Sequence, residues 1–445
     1  MKRIGTIFKN IGRPMVLLLC VALLLLPACG QVGSEENLQQ SELEEAPFIS
    51  TEEMLADYDY MWYIIETQFP LLEEAKRTGY LEKRGIDPEK IKETYRKRII
   101  AETQQFDKDP YDITSSLPVL GQYKNSKEAI YTLFSQCLNS FKSLGHLRIT
   151  ASNIAWYGDE FSEKSDRFYE SFGNSGSIDA LHGYDPDELI SLDYIEGIPV
   201  ITVKRFDNGD DSAGKLIKKA EKISKEVVEG EYKDAVIDIR GNPGGNDAVW
   251  RKGFSQLLYG YTRSYMTVGG FKAACLDYFG ENYSRLLEKG TEFILCPVEA
   301  IDKESLFEDE SINDVMRKAQ LDYIFQSKVT PNIPEPQGEV YKGRLWLLVD
   351  DRCASSAEEL ALFCQNTEAA TVIGKQTFGI GATGAAPIYK RIELPNSGMC
   401  FEFEWIGYLN RNGTFNDLEG MIPDIETEDD ALEVCLNIIN KGKNV

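Results

Sequence analysis

Histidine is almost missing from this chain: His146 and His182 are the only two in 445 residues. With no C-x-x-C among nine cysteines, no zinc-ligand spacing exists. No metal and no cofactor is therefore expected. Basic residues are also short, 48 Lys and Arg against 72 Asp and Glu, for a net charge of −24. Nucleic acid binding needs phosphate neutralisation by Lys and Arg, so nucleic acid is set aside as a partner. The glycine-rich turn at 241–245, G-N-P-G-G, is neither G-x-G-x-x-G nor a P-loop, which leaves nucleotide binding with little support. What is present is ordinary for a globular protein, with 42% hydrophobic and 27% charged residues.

The one long apolar run is N-terminal. Lys2, Arg3, Lys9 and Arg13 precede the apolar stretch Met15 to Leu26, and Leu26-Pro27-Ala28-Cys29 follows. This is the layout of a secretory signal over 1–28, and the run is short for a membrane span. L-P-A-C resembles a bacterial lipobox, which implies lipid on Cys29 and an extracytoplasmic protein anchored at the cell envelope. An uncleaved anchor is the plainer alternative. Residues 29–49 are polar and acidic and are expected to be a tether. Beyond Cys20 and Cys29 seven cysteines remain, an odd number lying mostly in apolar runs, so core thiols are expected rather than disulfides.

Residues 50–145 carry helical periodicity. Ser50 with Glu53 forms a capping-box pattern before Met54, Leu55, Tyr58, Met61, Trp62 and Ile65. Asp87-Pro88 starts a second helix, and Ser126 opens a third with Ile130, Leu133, Phe134, Cys137, Leu138 and Phe141 on one face. Residues 146–195 read as short strands and loops bridging to the next region. From 196 to 445 strand and helix alternate, as in right-handed βαβ units. The fold class is thus α/β with an N-terminal helical domain.

Within the α/β region, D-R-C-A-S-S-A-E-E-L follows a buried-type strand. Ser355 to Glu358 is itself a capping box, so Ser355 has a purely structural reading as a helix cap. A serine between strand and helix also stands beside free helix amides that favour an oxyanion. G-N-P-G-G at 241–245 permits close backbone approach, or is simply a tight turn. His146, after a helix and a glycine, is the better placed histidine for general base work; His182 lies in a turn-like segment.

D-I-R-G-N-P-G-G at 238–245, C-A-S-S-A-E at 353–358, T-F-G-I-G at 377–381 and G-M-I-P-D-I at 420–425 occur in that order, and S-L-G-H-L-R-I lies upstream at 143–149. This ordered set resembles the S41 family of serine peptidases, which includes C-terminal processing and tricorn-type proteases. The resemblance implies a ClpP/crotonase-like core. It implies Ser355 as nucleophile, and an oxyanion hole from Gly244 or Gly245 and the amide of Ser356. The lysine base of the processing branch is replaced by Ile380, and Lys375 falls at a different motif position. The tricorn-like branch uses histidine, which His146 matches, although the serine beside it there is Gly145 here. The same branch implies an orienting acid at Asp417, with Glu419 as the other candidate; Asp424 is expected to be structural. The expected activity is peptide-bond hydrolysis on a peptide or unfolded protein. The alternative is a catalytically inactive lipoprotein of the same fold that binds a peptide or small ligand. Oligomeric state is not legible.

Overall fold

The computed structural model describes residues 48–443, except 105, 108–122, 124, 151–160, 171–184, 207–209, 289–291, 301–309 and 382–388. The expected signal, Cys29, His182 and nearly all of the 29–49 tether lie outside the described residues. Residues 46–445 form one compact unit.

The helical region begins as its local chemistry requires. Ser50 accepts from Glu53 N–H while the Glu53 carboxylate reaches back to Ser50, which starts the helix Thr51–Gln68. Its Met54, Tyr58, Met61, Trp62 and Ile65 are buried. Asp87 caps the helix Pro88–Thr103, with proline at a position that needs no N–H. The third helix, Ser126–Asn139, is capped by Asn125 rather than Ser126; the Ser126 hydroxyl instead accepts from Ile49 N–H. These helices do not keep a core of their own. Met54, Trp62, Ile130 and Phe134 share one apolar cluster with Phe271, Phe401, Phe403 and Trp405 from the C-terminal half of the chain.

The strands in chain order are β1 Arg148–Ile149, β2 Ile190–Ile195, β3 Ile198–Val203, β4 Asp234–Asp238 and β5 Tyr265–Phe271. Next come β6 Phe293–Pro297, β7 Tyr323–Val329, β8 Arg344–Val349 and β9 Thr371–Gly374. The last are β10 Tyr389–Glu393, β11 Cys400–Glu404, β12 Gly407–Tyr408 and β13 Ile425–Glu426. A six-stranded sheet runs β13-β9-β8-β4-β3-β2, parallel except for the β2 edge. β4 is buried along its whole length because both faces are covered. Ala235 and Ile237 face the helices Asp210–Glu229, Ala248–Gly253 and Ser356–Thr367, and Val236 faces the helix Ala431–Lys443. Two antiparallel sheets, β1-β11-β10 and β12-β5-β7-β6, account for the other strands among the described residues.

The expected α/β architecture with an N-terminal helical region is present. Residues 146–195 differ from the sequence reading in part. Among the described residues the short strands β1 and β2 stand at the two ends, and two helices not expected from the sequence, Glu163–Glu170 and Pro186–Leu189, lie between them. Ser165, Phe168 and Tyr169, buried at i, i+3 and i+4, form the inward face of the first of these helices. The seven cysteines within the described residues are all free, six of them buried.

Candidate active site

Ser355 stands where β8 ends and the helix Ser356–Thr367 begins. It does not cap that helix: its side chain makes no capping bond, and its backbone sits at φ +54, ψ −123. A positive φ in a non-glycine residue costs of order 1–3 kcal/mol and is held only by surrounding contacts. Those contacts are explicit. Ser355 N–H donates to Gly379 carbonyl at 3.1 Å, Ala354 N–H to Asn242 carbonyl at 3.2 Å, and Phe378 N–H to Cys353 carbonyl at 2.9 Å. Glu358, the other half of the apparent capping box, turns into the core. There it accepts from Asn416 Nδ2 at 2.7 Å and from Met421 N–H at 2.9 Å. Burial pushes the Glu358 carboxyl up to about 7.

The glycine turn lies directly against the serine. A Cβ on Gly244, at φ +95, would fall 2.6 Å from Ala354 carbonyl and 2.8 Å from both Ser355 Cβ and Ser356 N. Gly244 N–H is already committed to Asn242 Oδ1 at 2.9 Å. Among the described residues the N–H groups of Gly245 and Ser356 have no acceptor. Two unpaired amides thus belong to this junction: that of Ser356, at the helix N-terminus where the dipole favours negative charge, and that of Gly245, next in the chain to the Gly244 packed on Ser355. The Ser356 hydroxyl is buried and has no partner.

His146 ends a 3-10 turn, Leu144–His146, with its own backbone at φ +51. Gly145 at φ +50 has no room for a side chain: a Cβ would lie 2.7 Å from the Phe69 ring. The serine that the tricorn-like pattern carries beside the histidine is thus excluded by packing. His146 Nδ1 is hydrogen-bonded to Glu404 on β11, and Tyr389 packs edge-on to the imidazole at 5.3 Å. Burial first, then Arg148, holds the imidazole below its ordinary value, so it is neutral at pH 7. With Glu404 accepting from Nδ1–H, the lone pair is on Nε2.

The carboxylate that meets His146 differs from the sequence expectation. Asp417 and Glu419 were the candidates, but the carboxylate on the histidine is Glu404. Asp417 stands one step behind it. The Asp417 and Glu404 carboxyls are close enough to act on each other, and both are raised, Glu404 to about 7, chiefly by burial. One oxygen of each, Glu404 Oε2 and Asp417 Oδ1, finds no donor elsewhere. A single proton shared by the two carboxyls would supply the missing donor. Glu419 is exposed and meets the site only through its carbonyl, which accepts from Asn410 Nδ2. The reason is geometric: the 415–419 turn carries Asp417 inward over β11 and leaves Glu419 outside.

A line of contacts joins the two halves. Gly379, which accepts from Ser355, packs so closely on Asn416 that a Cβ would lie 2.0 Å from its carbonyl oxygen. Asn416 precedes Asp417, which meets Glu404, which holds His146. Lys375 is outside this group; it is ion-paired with Glu428, and that bond raises its ammonium further. Ile380, at φ +56, is buried beside Gly379. Asp424 accepts from Val372 N–H and Gln365 Nε2, a structural role as expected. Glu404 has no signal in the sequence: the alternation in C-F-E-F-E reads as a strand with one apolar and one polar face, and only the fold buries both glutamates. Glu402 takes Arg148 and Arg391, and Glu404 takes His146.

The family model for peptidase family S41 matches residues 197–427, and the chain belongs to that family. No curated protein matches it significantly. Among solved structures it is similar to a lipoprotein from Streptococcus agalactiae at 13% identity, covering 89% of this chain and 97% of that one, with a TM-score of 0.45. Mature CPAF is similar at 10% identity over 84% and 92% of the two chains, TM-score 0.44. The photosystem II D1 C-terminal processing protease is similar at 15% identity over 52% and 43%, TM-score 0.30.

Proposed function

We propose that this peptidase-family protein is a serine endopeptidase working through Ser355 and His146. Ser355 Oγ attacks the substrate carbonyl while His146 Nε2 takes its proton. The imidazolium then returns that proton to the leaving amine as the C–N bond breaks. A water deprotonated by His146 Nε2 hydrolyses the acyl-Ser355 ester, releasing the new carboxylate and restoring the serine. Glu404, by accepting from Nδ1–H, keeps the lone pair on Nε2 and stabilises the imidazolium as it forms. The amides of Gly245 and Ser356 receive the oxyanion, each contributing about 10²–10³ in rate. The observation that carries this reading is Ser355 itself: a strained residue that caps nothing, at a junction with two unpaired amides. A serine needed only as a helix cap would have β-region backbone and a bond to the first turn.

The test is fluorophosphonate labelling and cleavage of a broad peptide library by wild type, Ser355→Ala and His146→Ala, with thermal unfolding of each. One label per chain, lost with turnover in a folded Ser355→Ala, supports the reading. A wild type that neither labels nor cleaves sinks it and favours ligand binding without turnover, to which the loss of the lysine position at Ile380 also points. The envelope location is a further part of the proposal and rests on L-P-A-C. Metabolic labelling with a fatty acid should mark the wild type and not Cys29→Ser; equal labelling of both removes the lipid anchor.

A further inference from the structure

One cation at the site is unused by this mechanism. Arg84 follows the short helix Tyr80–Lys83, between the positive-φ glycines Gly79 and Gly85. Its guanidinium lies 3.8 Å over the ring of buried Tyr80 and 5.9 Å from the ring of Phe378. Phe378 adjoins Gly379, the residue that accepts from Ser355 N–H. The Arg84 carbonyl accepts from Lys142 Nζ at 2.5 Å, which ties this turn to the segment that ends in His146. Tyr80 is also within the electrostatic reach of Asp417. Arg84 is therefore held beside both the serine and the histidine parts of the site.

Its charge is uncompensated. Arg77, Arg98, Arg148, Arg251 and Arg391 each bind a carboxylate of this chain. Among the described residues Arg84 has no ion pair, although acids outnumber bases by 72 to 48. A cation fixed on an aromatic ring, sharing a hydrogen bond with Tyr80 but ion-paired to no described carboxylate, keeps further N–H donors for an incoming carboxylate, which guanidinium binds by two parallel hydrogen bonds. A chain of net charge −24 repels acidic peptides at long range. A local cation at the site would reverse that repulsion where the substrate docks.

We propose that Arg84, seated on Tyr80, is a substrate-carboxylate subsite, binding either an acidic side chain or the free C-terminal carboxylate of the peptide. The proposal rests on the peptidase reading for its substrate, but its test can be separated from it.

One cleaved peptide would be made in four forms: neutral with an amidated end, with one Glu for Gln, with a free C-terminus, and with one Lys for Gln. The full chain and its Arg84→Gln and Arg84→Glu variants would be compared by the ratios of kcat/KM among these forms. Wild type should prefer a carboxylate form over the neutral one by about tenfold, the size expected of one charge-assisted contact. Arg84→Gln should collapse that ratio to near one, and Arg84→Glu should turn it toward the Lys form. Preference carried by Glu alone assigns the acidic side chain; preference carried by the free end alone assigns the C-terminus. No carboxylate preference in wild type, or a preference unchanged in both variants, overturns the subsite. If wild type cleaves nothing, the catalytic reading has failed. Fluorescence anisotropy with the same peptides then reads the subsite by affinity, with the same expected and overturning ratios.

Discussion

The serine side of this molecule and its histidine side are built by different means. Around Ser355 nearly every feature is backbone: a strand end, a helix start, a glycine turn, and main-chain bonds to Gly379 and Asn242. Around His146 the features are side chains brought from far apart in sequence, with 258 positions separating His146 from Glu404. A backbone-built half is fixed by local conformation and is altered by changing what the backbone can adopt. A side-chain-built half is fixed by burial and protonation and is altered by changing a single atom.

The sharpest way to break the comparison is Glu404→Gln. Glutamine fills the same space but can present its amide donor to Nδ1, which forces the proton to Nε2 and blocks the base. An equivalent change in a well-studied Ser-His-Asp triad costs about 10⁴ in kcat, and a loss of about 10³–10⁴ in kcat is expected here, with KM changed little. Steady-state kinetics would measure it. A loss below tenfold would mean that Glu404 only fills space.

That contrast also explains what could be read from the chain alone. The strands, the glycine turn and the Ser355 junction are short contiguous patterns, so their order along the sequence carried the α/β fold, the family and the candidate nucleophile. The acid partner was not contiguous with anything. Asp417 lies in the right turn but is one carboxyl removed from the histidine, because the alternation of β11 had already delivered Glu404 there. Phe403 and Phe401 identify one buried face of β11, but only the fold shows that the glutamate face is buried too and which partner meets each glutamate. The helices at 163–170 and 186–189 were missed because turn-rich composition masked their short amphipathic faces. Arg84 gave no signal at all, since its meaning lies in what it does not touch.

Gly244→Ala tests the backbone half. The new methyl group meets Ala354 carbonyl and Ser356 N, at a φ that alanine adopts poorly. It should displace the Ser356 amide and cost about 10² in kcat, near the value of one oxyanion donor. Gly197→Ala is the control, with φ +78 but open space around the Cβ. Both should destabilise by about 1 kcal/mol or more through strain. Only Gly244→Ala should lose turnover, and equal turnover in the two would remove the glycine turn from the chemistry.

Asp417→Asn should have the smallest effect on rate and the most telling one on pH. The asparagine amide can donate to Glu404 as a protonated carboxyl would, so activity at pH 7 should stay within a few fold of wild type. Stability should diverge. The folded Asp417 carboxyl is raised well above its ordinary 3.8, by burial and then by Glu404, so between that value and its raised one the folded state binds a proton that the unfolded state has lost. Stability from this group is therefore complete below about pH 4 and falls as pH rises toward the folded value. Glu404, raised from 4.5 to about 7, acts in the same direction over the same window. Glu358 and Glu359 do so in both proteins and cancel in the comparison. Thermal unfolding between pH 5 and 8 should then show a shallower decline in Asp417→Asn than in wild type. A parallel decline would mean that the two carboxyls do not share a proton, and that the histidine half rests on Glu404 alone.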